Sequence, residues 1–246
     1  MLVVVFGLLN KNMIKVGTLN ESTRINWVKK TLRKIPKGSK ILDAGAGEQQ
    51  FKKFCSHLKY VSQDFAKYNG KGDKKGLQTK IWDNSNLNIV SDIASIPVPD
   101  CSFDAVLCTE VFEHLPEPLL ALKEFSRLLK KKGYLIITAP FCSLTHFAPY
   151  HFYNGFNRYF YETHLPKFGF KIIEIKTNGN FFEYLAQEIR RIPEVKKMYI
   201  NSFKKNIFET TAHKITLHFL DRWSKRDKGS DELLNFGYHV FARKIK

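Results

Sequence analysis

Apolar and polar positions along this chain fall into blocks whose spacing changes from one block to the next. Ile25, Val28, Leu32 and Ile35 recur at helical spacing, which predicts an amphipathic helix over residues 20–36 that Pro36 ends. Short apolar runs at 40–44, 58–65, 88–93, 104–109, 133–140 and 169–175 read as six strands. A seventh follows at 235–243, where Phe236, Tyr238 and Val240 alternate with polar neighbours. Phe51, Phe54, Cys55 and Leu58 predict a helix directly after the first strand, and Leu120, Phe125, Leu128 and Leu129 predict another from Glu117 to Lys130. Residues 66–87 are rich in glycine and lysine and read as a mobile loop with a short turn of helix. Strands alternating with helices predict an α/β sheet.

The block between the sixth and seventh strands is longer than a hairpin needs. Phe182, Leu185, Ile189 and Ile192 share one helical face, and Phe203 to Trp223 forms a longer helical segment. This predicts a helical lid insertion at 181–230, set into a domain made of residues 38–180 and 231–246, with an N-terminal segment and helix at 1–37.

Composition adds bounds to this picture. A length of 246 residues with 43% hydrophobic content suits one soluble domain with a sizeable core. Cys55, Cys101, Cys108 and Cys142 are scattered without a Cys-x-x-Cys pair, which points to a reduced, cytoplasmic chain with no zinc site. Leu2–Leu9 is apolar but too short to span a bilayer, and no basic residue precedes it as in a secretory signal; disorder or peripheral packing is expected there. The net charge is +17, but residues 41–140 balance thirteen basic against twelve acidic residues. The excess lies in the flanks, with nine basic and one acidic residue in 1–40 and fourteen against eight in 181–246. Such flanks attract nucleic acid, an anionic membrane surface or a phosphorylated substrate, or form a solvated lysine-rich surface.

The chemistry centres on Lys40-Ile-Leu-Asp-Ala-Gly-Ala-Gly-Glu48. Gly45 and Gly47 permit a tight strand-to-helix turn with close approach of a ligand to backbone, and N–H groups at the helix start are expected to face that ligand. Asp64 ends the second strand, twenty-one residues beyond Asp43, where a carboxylate suits a ribose diol. A dinucleotide fingerprint would place glycine where this chain has Gln50, which argues against nicotinamide or flavin chemistry.

Ile41-Leu-Asp-Ala-Gly-Ala-Gly47, Asp64, Asp92-Ile93, Phe103–Leu115 and Leu129–Pro140 together resemble the ordered motifs of class I S-adenosylmethionine-dependent methyltransferases, in particular the ubiquinone-biosynthesis-like group acting on small molecules. The resemblance covers roughly residues 38–176 and the final strand, and Gln49 stands where that family often has a third glycine. It implies a Rossmann-like seven-stranded sheet, mostly parallel with an antiparallel last strand and helices on both faces. It also implies S-adenosylmethionine as cofactor, with Asp43, Gly45 and Gly47 around the methionine moiety, Asp64 on the ribose, Asp92 and Ile93 at the adenine, and Glu110 beside the cofactor.

Methyl transfer to a hydroxyl requires proton removal, which directs attention to His151, His114 and His146, in that order. His151 lies in an aromatic-rich stretch, residues 141–164, past the fifth strand, where a sugar or glycan precursor is the expected acceptor. Glu110-Val-Phe-Glu-His114 with a later histidine also resembles the metal-binding arrangement of small-RNA 3′-terminal 2′-O-methyltransferases. The same Glu-His accompanies metal-free relatives, so no metal ligand is assigned. A methyltransferase-like fold serving only as a binding subunit is the non-enzymatic alternative.

Overall fold

The computed structural model describes residues 14–200 and 206–246, so the apolar stretch Leu2–Leu9 lies outside the described residues. Helix α1 (Asn20–Leu32) is followed by β1 (Lys40–Ala44), β2 (Lys59–Asp64), β3 (Ile89–Val90), β4 (Phe103–Thr109), α2 (Pro118–Leu128) and β5 (Leu129–Pro140). Then come α3 (Arg158–Lys167), β6 (Phe170–Asn178), α4 (Phe181–Tyr199), α5 (Ile207–Ser224) and β7 (Gly237–Lys244). The strands form one sheet in the order β3-β2-β1-β4-β5-β7-β6. β1 to β5 are parallel, and β7 runs antiparallel between β5 and β6. The expected seven-stranded, mostly parallel sheet is the one observed.

The two faces are covered by different helices. α1 lays Trp27, Val28 and Leu32 against Ile41, Ala105, Leu107 and Phe241 on one face. α2 and α3 cover the other with Leu122, Phe125, Leu128, Tyr161 and Leu165. Strands buried on both faces need near-continuous apolar sequence, and β4 supplies Ala105-Val-Leu-Cys108 with no exposed side chain. Among the described residues, no helix is long and apolar enough to cross a membrane.

Four local expectations differ from the structure. The helix expected after the glycine loop is a single 3₁₀ turn, Lys52–Phe54. Phe51 and Cys55 flank that turn and are buried under α1, so the apolar spacing reports burial there and not a helix. Residues 66–87 contain no helix, and the segment is tied down. The Tyr68 hydroxyl bonds Gln78, Asn84 donates to the Tyr68 carbonyl, and Leu77 bridges to His146. β5 starts at Leu129, four residues earlier than the apolar run suggests, through an irregular pairing opposite Phe103–Ala105. Finally, α3 arises inside the aromatic stretch, where Asn157 caps it by accepting from the Phe160 N–H; its low amphipathicity hides it from a periodicity search.

α4 and α5 lie between β6 and β7 and pack on each other around Val16, Ala186 and Leu220; Phe203, the expected start of the second helix, lies outside the described residues. The segment before α1 is clamped against α4. The Gly17 N–H donates to Glu183 Oε2 at 2.6 Å, Arg190 Nε donates to the Val16 carbonyl at 2.8 Å, and Asn20 donates to Gln187 at 3.0 Å. Gly17 is required at this crossing, since a Cβ there would lie 2.4 Å from the Gln187 nitrogen.

Candidate active site

The carboxyl ends of β1, β2 and β4 meet where the strand order turns back on itself, the position at which open α/β sheets bind ligands. A cavity of about 900 Å³ opens there. Gly45, Gly47, Asp64, Asp92, Ile93 and Glu110 all line it, joined by His114 and His146. Asp43 does not. It is buried beneath the cavity, where its Oδ2 accepts from the Tyr60 hydroxyl at 2.6 Å while its Oδ1 has no hydrogen-bond partner. Burial raises its carboxyl to about 7, against the smaller lowering effect of Tyr60.

The glycine loop works differently from the sequence expectation. The N–H groups of Gly45 and Ala46 both donate to the Gln63 carbonyl at 2.9 Å, and the Gly47 N–H donates to Asp64 Oδ2 at 3.0 Å. These donors are spent on β2, and no long helix begins behind them. The glycines instead make room. A Cβ on Gly45 would meet Val111 at 2.4 Å, and one on Gly47 would meet the Trp82 ring at 2.5 Å, both with φ in the left-handed region. Trp82 thus roofs the loop and joins Tyr68 and Phe147 in an aromatic wall.

Glu110 sits just past β4 with φ of 54°, a strained conformation for a residue other than glycine. Three bonds hold it there. Its N–H donates to the Thr138 carbonyl, its Oε1 accepts from the Thr138 hydroxyl at 2.8 Å, and its Oε2 pairs with Arg24 at 3.0 Å. Arg24 comes from α1 and lines the same cavity; sequence reading missed it because a lone arginine on a helix looks like a solvated charge.

Beyond Glu110 a 3₁₀ turn, Phe112–His114, delivers Glu113 and His114, while the segment after β5 delivers His146 and His151. Glu113 is buried, and its Oε2 has no hydrogen-bond partner. Its Oε1 lies 3.8 Å from His114 Nε2 and 3.9 Å from His146 Nε2. Each ring has its tautomer fixed by a backbone carbonyl. His114 Nδ1 donates to Tyr150 at 2.5 Å and His146 Nδ1 donates to Leu144 at 2.8 Å. Both Nε2 lone pairs are therefore left facing the carboxyl group of Glu113. Burial holds Glu113 well above the usual carboxylate range. It also lowers His114 to about 3 and lowers His146, so both rings are neutral near pH 7. The three ligand atoms lie within 4.8 Å of one another, a spacing that could hold a metal ion. His151 stands one ring behind, 4.7 Å from His146 and bonded to Ser143, and lines neither cavity.

A second cavity of about 300 Å³ adjoins the first and shares Glu110, Glu113, His146 and Phe147 with it. Its other walls include Asn20, Gln78, Ser143 and, from the insertion, Gln187, Glu188 and Arg191.

Residues 42–137 match the family described as "Methyltransferase domain". Over this segment the chain is similar to a methyltransferase domain. A "Ubiquinone biosynthesis O-methyltransferase" from Xanthomonas oryzae pv. oryzae (strain PXO99A) is 30% identical over 104 residues, covering 41% of this chain and 43% of that protein. A "Demethylmenaquinone methyltransferase" from Chlamydia muridarum is 30% identical over 105 residues, covering 43% of each. The chain thus spans about two fifths of the length of these curated relatives. Among solved structures, a SAM dependent methyltransferase from Archaeoglobus fulgidus matches with a TM-score of 0.53 at 17% identity, over 89% of this chain and 94% of that one. The [4+2]-cyclase SpnF matches with a TM-score of 0.52 at 16% identity, over 89% and 80% of the two chains. The fold of this chain therefore also occurs in a protein named for another reaction, and only the site's own residues speak for its chemistry.

Proposed function

We propose that this protein transfers the methyl group of S-adenosylmethionine to a hydroxyl of a small polar acceptor, a sugar or glycan precursor. The observation that carries this reading is the charge of the large cavity. On a chain of net charge +17, its lining holds Glu21, Glu48, Asp64, Asp92, Glu110 and Glu113 against Arg24 and Lys67. An acidic cavity whose loop N–H groups are already bonded repels a pyrophosphate and attracts a cation. S-adenosylmethionine supplies an electrophilic methyl on a positively charged sulfur when bound. The residues fit that group. Asp64, at the tip of β2, offers carboxylate lone pairs to a diol; Ile93 and the aromatic wall offer apolar surface to a base; and Gly45 and Gly47 leave room beside the backbone.

The smaller cavity holds the acceptor in this reading, since it opens onto the larger one past His146 and carries amide, hydroxyl and charged groups. His146 takes the hydroxyl proton on Nε2. Its Nδ1–H bond to Leu144 and the charge of nearby Glu110 favour the charged ring that results. His146 thereby replaces His151 as the leading base, because it is the histidine that lines both cavities. Holding acceptor and methyl in line supplies most of the remaining acceleration. Isothermal titration with S-adenosylmethionine tests the donor half, and no heat at millimolar cofactor overturns it. Tritium transfer to hydroxylated sugars tests the acceptor half, with transfer to quinols alone as the contrary result suggested by the names of the relatives.

A second reading is favoured by Glu113, His114 and His146. A divalent ion held there would lower the pKa of a bound hydroxyl and suit a vicinal diol such as an RNA 3′ end. His146 would then be a ligand and not a base. Calorimetric titration of chelator-treated protein with Mg²⁺, Mn²⁺ or Zn²⁺ separates the two readings. Binding lost in His114→Ala supports the ion, and full methyl transfer in excess chelator rejects it.

A further inference from the structure

Helix α5 is apolar on two sides. Leu217 and Leu220 pack on α4 and Val16, as expected for a helix that closes a core. Phe208, Ile215, Phe219 and Trp223 follow one another at steps of seven, four and four residues, which puts them in one stripe on a different side, with Trp223 at its edge, where its ring lies 6.0 Å from Phe182 of α4. They are 82%, 38%, 43% and 48% exposed. A surface helix ordinarily turns charged groups outward, so a partly exposed aromatic stripe marks a contact face.

Charge identifies what covers it. Lys214, His218 and Arg222 form a row one helical step beside the stripe. The two acids of α5 are engaged, Glu209 with Lys196 at 2.6 Å and Asp221 with Lys225 at 2.5 Å. Among the described residues, neither Lys214 nor Arg222 has an acidic partner within ion-pair distance. A second copy docking stripe to stripe would set these rows against each other on chains of net charge +17. An anionic lipid surface satisfies both features, because apolar rings enter the headgroup boundary while flanking cations meet phosphate.

We propose that α5 docks this protein on an anionic membrane surface, with Phe208, Ile215, Phe219 and Trp223 as the inserted stripe and Lys214 and Arg222 as the headgroup contacts. The proposal is independent of the methyl-transfer reading and needs no cofactor.

The test is flotation of the full chain with phosphatidylcholine vesicles, with and without phosphatidylglycerol. Wild type is expected to float with the anionic vesicles and to dissociate as salt rises, and Trp223 emission to shift to the blue, a shift that Trp223→Phe abolishes. The pair Phe208→Ser with Phe219→Ser lies at exposed positions and keeps the native circular dichroism, yet it should weaken flotation by about tenfold or more. Lys214→Glu with Arg222→Glu should cost about tenfold on anionic vesicles. No flotation of wild type, equal flotation on neutral vesicles, or unchanged flotation of either double variant overturns the proposal. A vesicle-free dimer that the Phe208→Ser pair dissociates also overturns it, in favour of a second copy.

Discussion

Asp43 is buried with an empty Oδ1, so its proton couples to the stability of the whole fold. Its carboxyl rises from an ordinary 3.8 to about 7, because burial penalises the ionised form. Below about pH 4 both folded and unfolded chains carry this proton, and the group contributes no pH dependence. Between about pH 4 and 7 the unfolded chain releases the proton while the folded chain keeps it, so stability falls as pH rises. The full loss over about three pH units is on the order of 4 kcal/mol. Asp43→Asn keeps the shape and the acceptor for Tyr60 but cannot ionise. Urea unfolding of both proteins across pH 5–9 at unchanged m-value isolates the effect, since other titrating groups cancel in the difference. The stability of Asp43→Asn relative to wild type should climb by about 2 kcal/mol from pH 5 to 7 and level off above about pH 8. Tyr60→Phe removes the one hydrogen bond that favours the carboxylate and should move the inflection to higher pH. A difference that stays flat across this range refutes the buried-proton account.

Three further outcomes follow from the site and its supports. Asp64→Ala should weaken S-adenosylmethionine binding by about 1–3 kcal/mol in a calorimetric titration, by leaving diol hydroxyls unpaired and freeing the Gly47 N–H. Gly45→Ala incurs about 1–2 kcal/mol of left-handed strain and pushes Val111 into the cavity, so it should lower both the midpoint of thermal unfolding and cofactor affinity. Gly17→Ala should loosen the clamp on α4, read as faster proteolysis of the insertion with the sheet left protected from hydrogen exchange.

The sheet was legible because its strands are short apolar blocks closed by acids or turns, and burial on both faces allows little else at Ala105–Cys108. The cavity residues were legible for a related reason: Asp64, Asp92 and Glu110 each end or follow a strand on one edge. The errors came from features that single-chain periodicity does not carry. Phe51 and Cys55 have helical spacing but fold as a turn, because α1 buries them from above. Asp43 belongs by sequence to the cavity, whereas Tyr60 from the next strand holds it below. His151 and His146 lie in the same aromatic stretch, and only the bridge from Leu77 and the carbonyl of Leu144 decide which ring faces the two cavities. Arg24 reaches Glu110 across eighty-six positions, a pairing invisible without the fold.

The position of β7 has a consequence for biosynthesis. β7 is the most C-terminal strand, yet it fills the slot between β5 and β6 and gives both of them their backbone partners on that side. As the chain leaves the ribosome, β1 to β5 can zip together by parallel pairing while β5 keeps one open edge. β6 meanwhile has no neighbour at all until Gly237–Lys244 is made. An open edge of this kind invites pairing with other nascent chains. Lys130, Lys131 and Lys132 precede the stretch Tyr134–Pro140 that β7 covers, so the waiting edge itself carries no charged side chain.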